Sequence, residues 1–248
     1  MEHESGIEKL FFELASENRL SILHELKKEN LKMQEIARRL DVTATEAFRQ
    51  LERLSAALLV QRQPDGTFAI AEYGEIVLQL SSSLDFVSKY KDYFSKHDII
   101  RLPLQFVNRL GEISKASLVM DTVENLDNGE RAFMEAEQYA WGIAEGTVPE
   151  HMIPAMNERI QNGLKLKMLV PGNRLSASVS PPAIATSMEV RGLSDLPAIV
   201  VLTEKVAAIC FREIGGKVDY AGFFGVDQMF HNWVKDLFIY YWEKGKRT

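Results

Sequence analysis

Between positions 43 and 53 the chain sets out Thr43, Thr45, Glu46, Arg49, Gln50 and Arg53, side chains whose types suit nucleic-acid recognition. Arginine pairs bidentately with guanine O6 and N7, glutamine with adenine N6 and N7, and glutamate accepts from cytosine N4. Thr43, nearest the start of its helix, suits a phosphate oxygen better than a base. Lys32 and Arg62 flank the group and are expected on backbone phosphate, with the segment after Arg62 reaching the adjacent minor groove. The alternative for the same residues is a solvent-exposed helix face used for protein contacts.

The elements that must position these residues are legible around them. Met33 to Leu40 has a helical period, with Ile36, Ala37 and Leu40 on one face. Asp41-Val42 makes a turn, and Thr43 is a good N-cap because its hydroxyl can accept a free backbone N–H. The following helix, Thr45 to Leu59, places Ala47, Leu51, Leu54 and Leu58 in one apolar stripe. Val60–Gln63 and Thr67–Ile70 alternate around Pro64-Asp65-Gly66 as a two-stranded wing does. Helix, tight turn, longer helix and wing predict a winged helix-turn-helix with a recognition helix over 43–59.

Charge bears on that expectation. The chain of 248 residues carries a formal net charge of −6, whereas nucleic-acid-binding domains are often basic. Between 27 and 62, however, Lys27, Lys28, Lys32, Arg38, Arg39, Arg49, Arg53 and Arg62 outnumber Glu29, Glu35, Asp41, Glu46 and Glu52. Phosphate contacts need cations on one face, not a basic chain. A solvated face of mixed charge is the competing account.

Ile7, Leu10, Phe11 and Leu14 start the first domain, and Ser16 opens a second helix with Leu20, Ile22, Leu23 and Leu26 inward. Beyond the wing, Ile76, Leu80, Leu84, Val87, Tyr90 and Phe94 form a heptad-like seam, suited to a homodimer or to packing within the chain. Strands are expected at 116–120, 138–144, 164–170, 188–190, 198–202, 207–212 and 219–224. Helices are expected at 122–137, 149–162 and 228–244, with a loop from Arg174 to Pro182. Alternating helix and strand predict an α/β domain with a partly parallel sheet. The fold class is therefore two-domain, α+β/α/β: a winged helix-turn-helix over 1–75, a connecting helix over 76–100 with a dimerisation role open, and an α/β sensor or assembly domain over 101–248.

The segment Ala47-Phe-Arg-Gln-Leu-Glu-Arg-Leu-Ser-Ala-Ala-Leu-Leu-Val60 resembles the ArsR-like winged-helix repressors. Gln50 stands where those proteins often carry His, and Leu58 where Gly usually precedes Leu-Val, which predicts a different helix end. The stretches Arg191–Ile209, Gly216–Gly225 and Trp233–Trp242 are similar to a domain of archaeal winged-helix regulators named after a methanogenesis and filament-formation regulator. Together the two resemblances cover nearly the whole chain. They imply an archaeal transcriptional regulator whose second domain senses a signal or mediates assembly, and they carry over no ligand; the partners expected of the chain are double-stranded DNA, a second copy in a homodimer, and a small-molecule or protein effector.

Tyr139, Trp141, Arg191 and Phe211 are candidates for a pocket taking an aromatic or acyl ligand, or else belong to the core. Cys210, the single cysteine, excludes an intrachain disulfide and a Cys-rich zinc site. His3, His24, His97, His151 and His231 lack metal-ligand spacing, so neither a metal nor a cofactor is expected. With no nucleophile elbow and no glycine-rich phosphate loop, no catalytic residue is proposed. An enzyme in the second domain and a winged-helix protein-interaction adaptor remain as alternatives. The acidic N-terminus lacks signal-peptide features, and no apolar run nears the roughly 18–20 residues that span a bilayer, so a cytoplasmic location is expected.

Overall fold

Apolar residues at helical spacing build the first part of the chain. Helices α1 (Gly6–Leu14), α2 (Glu17–Lys28), α3 (Met33–Arg39) and α4 (Ala44–Ala56) enclose a core of Ile22, Leu23, Leu26, Ile36, Leu51 and Leu54. Strands β1 (Val60–Arg62) and β2 (Phe68–Ile70) pair antiparallel, with Arg62 opposite Phe68. Their turn is fixed by Asp65, whose carboxylate accepts from both the backbone N–H and the hydroxyl of Thr67. Gly66 supplies the positive φ of 84° that the turn needs. Leu31 exchanges backbone hydrogen bonds with Phe68, which ties the hairpin to the α2–α3 link.

The computed structural model describes residues 6–146, 149–174 and 188–247, and the chain divides into two units, 1–81 and 82–248. The division falls within helix α5 (Glu72–Lys89), which is followed by the short α6 (Lys91–Phe94). The seam expected over 76–100 is thus not one continuous row. Ile76, Leu80 and Leu84 are exposed, while Val87, Tyr90 and Phe94 pack against the core of the second unit.

Two details of the first unit depart from expectation. Helix α4 ends at Ala56, not Leu59, and Leu58 is exposed and not part of the buried stripe. Leu58 takes a φ of 61°, its N–H bonds to Ser55 O, and the N–H of Leu59 reaches Leu54 O. This is a Schellman helix end with leucine where glycine is the low-strain residue. Leu58 thus holds a left-handed backbone that is strained for a residue with a Cβ.

The second unit is a seven-stranded mixed sheet in the order β3-β9-β8-β7-β4-β5-β6. The strands are β3 (Ser117–Val119), β4 (Tyr139–Ile143), β5 (Lys165–Pro171), β6 (Met188–Leu193), β7 (Ala198–Thr203), β8 (Ala207–Phe211) and β9 (Gly222–Gly225). β4, β5 and β6 run parallel, and the remaining neighbours pair antiparallel. Besides the short α7 (Leu104–Val107), its helices are α8 (Thr122–Glu135), α9 (Ile153–Gln161) and α10 (Gln228–Lys244). The loop expected over 174–182 lies, after Arg174, outside the described residues.

Strand alternation sends side chains to two faces of this sheet. Tyr139, Trp141, Ile143, Val200, Leu202, Ile209 and Phe211 join Trp233, Val234, Leu237 and Phe238 of α10. Ala140 and Leu166 instead join Met152, Met156 and Ile160 beneath α8 and α9. Asp227 caps α10 by accepting from Met229 and Phe230 N–H. Glu204, in the β7–β8 turn, accepts from the N–H groups of Glu137, Gln138 and Tyr139 and so fixes the start of β4. Burial alone would raise its pKa, but these backbone donors prevail and hold it below the ordinary value.

Candidate nucleic-acid interface

Helix α4 carries two opposed rows. Ala47, Gln50, Leu51 and Leu54 turn inward. Thr45, Phe48, Arg49 and Glu52, spaced i, i+3, i+4 and i+7, form an exposed row on the other side. Thr43 starts the helix by accepting the N–H of Glu46 at 3.2 Å, so its hydroxyl is already engaged as a cap. Arg49 is 68% exposed and meets Glu46 at 2.7 Å. Hydrogen bonds from Gln50 and then from Arg49 hold the Glu46 carboxyl below its ordinary pKa.

The structure removes two of the expected readers. Gln50 is only 6% exposed; it accepts from the Arg19 guanidinium at 3.0 Å and donates to Glu46. Its amide is therefore spent joining α2 to α4 and cannot reach an adenine. Arg53 forms a bidentate pair with Glu13 of α1, at 2.6 and 3.1 Å, and lies over the Phe12 ring. The pair raises the Arg53 pKa, chiefly through the Glu13 hydrogen bond. Arg39, counted in the basic patch, is likewise held internally by Glu25 and Glu29.

What remains on the outside is Lys32 at the start of α3, Arg38, Thr45, Phe48, Arg49 and Arg62 on β1. Lys27, Lys32, Arg38 and Arg62 are exposed and form no ion pair with another described residue. Sequence reasoning counted Arg38 in the basic patch without giving it a contact, and it missed Phe48. Phe48 sits between stripe positions 47 and 51, and its off-stripe spacing was the available signal. Its exposed ring suits contact with a thymine methyl.

In the second unit the four proposed ligand residues all lie on the α10 face. The Tyr139 hydroxyl meets His231 Nε2 at 3.3 Å, and Trp141 stacks on Phe238. Arg191 lies over the Trp242 ring and donates to its carbonyl at 2.8 Å. Phe211 is fully buried, edge-on to Trp233. Packing consumes Phe211, so it cannot touch a ligand. On the opposite face a hollow of about 420 Å³ lies between α8, α9 and the sheet, and none of these four residues lines it.

Among the described residues no group of three His, Cys, Asp or Glu side chains could hold a metal ion, and no helix is long and apolar enough to cross a membrane. No family model matches this sequence, and no curated protein matches it. Among solved structures the chain is similar to TrmBL2, described as an archaeal chromatin protein with a novel mode of DNA binding. That likeness has 15% identity over 88% of each chain and a TM-score of 0.45. It is also similar to NucT from Helicobacter pylori, with 11% identity over 54% of this chain and 99% of that one, TM-score 0.41. A phospholipase D family member, Nuc from Salmonella typhimurium, gives 12% identity over 54% and 99%, TM-score 0.40. At these values the likenesses assign no residue and no activity.

Proposed function

We propose that residues 1–81 form a winged helix-turn-helix that binds double-stranded DNA, and that the chain is a transcriptional regulator and not an enzyme. The observation that carries this reading is the exposed row Thr45, Phe48, Arg49 and Glu52 on a helix anchored by its opposite side. DNA binding is what its description reports for TrmBL2; here it rests on α4. In this reading Arg49 pairs with a guanine and Phe48 meets a thymine methyl, while Lys32, Arg38 and Arg62 contact phosphates on either side.

The regulator works as a homodimer in this reading. Ile7 and Phe11 of α1, with Ile76 and Leu80 of α5, are exposed apolar side chains that a second copy would cover. Two recognition helices would then meet half-sites about 34 Å apart. The second unit senses a signal or mediates assembly.

The test is fluorescence anisotropy with DNA from upstream of the protein's own gene, comparing wild type with Arg49→Ala and Leu80→Asp. Saturable wild-type binding is expected. Arg49→Ala should lose about 1–3 kcal/mol of discrimination, roughly ten- to hundredfold. Leu80→Asp should sediment as a monomer and bind more weakly. Absence of binding at low salt, or identical curves for wild type and Arg49→Ala, would overturn the assignment of α4.

A further inference from the structure

The hollow beneath α8 is walled by alternate residues of three strands. Ile199 and Val201 of β7 and Ala208 and Cys210 of β8 face it, as does Met168 of β5. The registers Ile199↔Cys210 and Val201↔Ala208 set these residues side by side. Phe133 of α8, with Met152 and Met156 from across the gap, completes the apolar wall. An apolar cavity of about 150 Å³ already holds a benzene ring, so 420 Å³ accommodates a fused pair of rings with a small substituent. Thioether sulfurs make favourable contacts with aromatic rings and adapt to their shape.

The polar groups narrow the occupant further. Asn125 is 7% exposed and lines the hollow. Its Nδ2 donates to Tyr220 O at 2.6 Å and to Cys210 Sγ at 3.4 Å, which orients the amide. Its Oδ1 accepts no hydrogen bond from any described residue. Unlike Trp141 Nε1 or Asn157 Oδ1, it is not sealed from solvent, so within the hollow it can exchange water for a ligand N–H or O–H. The Cys210 thiol is pushed up to about 12 by burial and stays neutral. Glu130 and Glu145 stand at the rim, paired with His151 and Arg212, and among the described residues no lysine or arginine lines the hollow. The charged residues that line the hollow are both acids, whose cationic partners are already engaged, which disfavours a carboxylate or phosphate.

We infer that this cavity binds an uncharged, fused-ring aromatic molecule whose N–H or O–H donates to Asn125 Oδ1. The site goes beyond the DNA reading and is measured without DNA, so either can fail alone.

Indole serves as the probe, added to the full chain with ¹³C-methyl methionine and followed by NMR. The Met152, Met156 and Met168 methyl signals should shift saturably, while those of Met33 and Met229, which do not line the hollow, stay in place. 1-Methylindole, which lacks the donor, should bind roughly tenfold more weakly, and anionic indole-3-acetate more weakly than indole. Gly129 lies on α8 at the cavity wall, and a Cβ there would meet only Val201 at 3.5 Å. Gly129→Leu should therefore fold and abolish the shifts. No methionine shift with millimolar indole would overturn the site. Wild-type affinity in a folded Gly129→Leu would do the same. Equal binding of indole and 1-methylindole would overturn the role of Asn125, and tighter binding of indole-3-acetate would overturn the uncharged class. The comparison of the three probes needs no variant.

Discussion

In the helical unit Leu51 and Leu54 of α4 turn inward and are wholly buried, so the groups left for recognition stand outside, in solvent. In the sheet unit the face of β7 and β8 under α8 leaves apolar atoms around a space of about 420 Å³. If both proposals hold, one chain offers two kinds of recognition with almost no chemistry in common. A polyanion is drawn to exposed cations, and its affinity falls as salt competes. An uncharged ring enters by leaving water, which salt screening scarcely affects.

Salt is the largest lever on that contrast. If Lys32, Arg38, Arg49 and Arg62 each neutralise a phosphate, DNA affinity should fall roughly a hundredfold between about 50 and 200 mM salt. Indole affinity measured over the same range should stay constant within about twofold, as expected of a neutral ligand. Parallel salt slopes for the two ligands would erase the distinction.

A smaller effect separates the units by pH. Glu204 holds three backbone N–H groups at the head of β4, so Glu204→Gln should destabilise the sheet unit by about 1–3 kcal/mol at pH 7. Because the folded pKa lies below the ordinary 4.5, the contribution is complete above that value. It is lost as pH falls through the depressed folded value. Thermal melts of wild type and variant should therefore converge in acid. A constant gap from pH 7 to pH 3 would remove the carboxylate from the account.

The smallest effect concerns Leu58. Its left-handed backbone costs roughly 1–2 kcal/mol for a residue with a Cβ, and its exposed side chain recovers little. Against the extra chain entropy of glycine, Leu58→Gly should stabilise the helical unit by about 0.5–1 kcal/mol in urea melts. DNA binding should be unaltered, and lower stability would mean that the Leu58 side chain has a packing partner.

Local signals carried much of this architecture. Thr43 as a cap, the Asp65-Gly66 turn and the span Gln228–Lys244 were legible because each depends on residues within one turn of the chain. Gln50 and Arg53 were misjudged because their partners, Arg19 and Glu13, lie 31 and 40 residues away. A polar residue on a helix reads as exposed until the charge that claims it is known. The heptad-like seam left two partners open for a related reason: periodicity marks a face without saying which neighbour covers it, and only the packing shows that Val87, Tyr90 and Phe94 turn to the core of the second unit. Phe211 and Cys210 show the same limit in a strand. Alternation sends them to opposite faces, but only the packing of α10 and α8 decides which face is filled. The hollow itself had no sequence signature, because its walls come from α8, α9, β5, β7 and β8 at once.

If α4 reads DNA as proposed, the chain of contacts Arg19–Gln50–Glu46–Arg49 bears on which base Arg49 accepts. Glu46 is fastened from behind by Gln50 and offers Arg49 a carboxylate. Any base that takes the guanidinium must outcompete that carboxylate. Guanine, with two acceptors in register, is the strongest bidder among the four bases, and a lone acceptor leaves Arg49 where it rests. Under that reading Glu46 would act as an internal rival that sets a threshold, silencing weak matches before they become weak complexes.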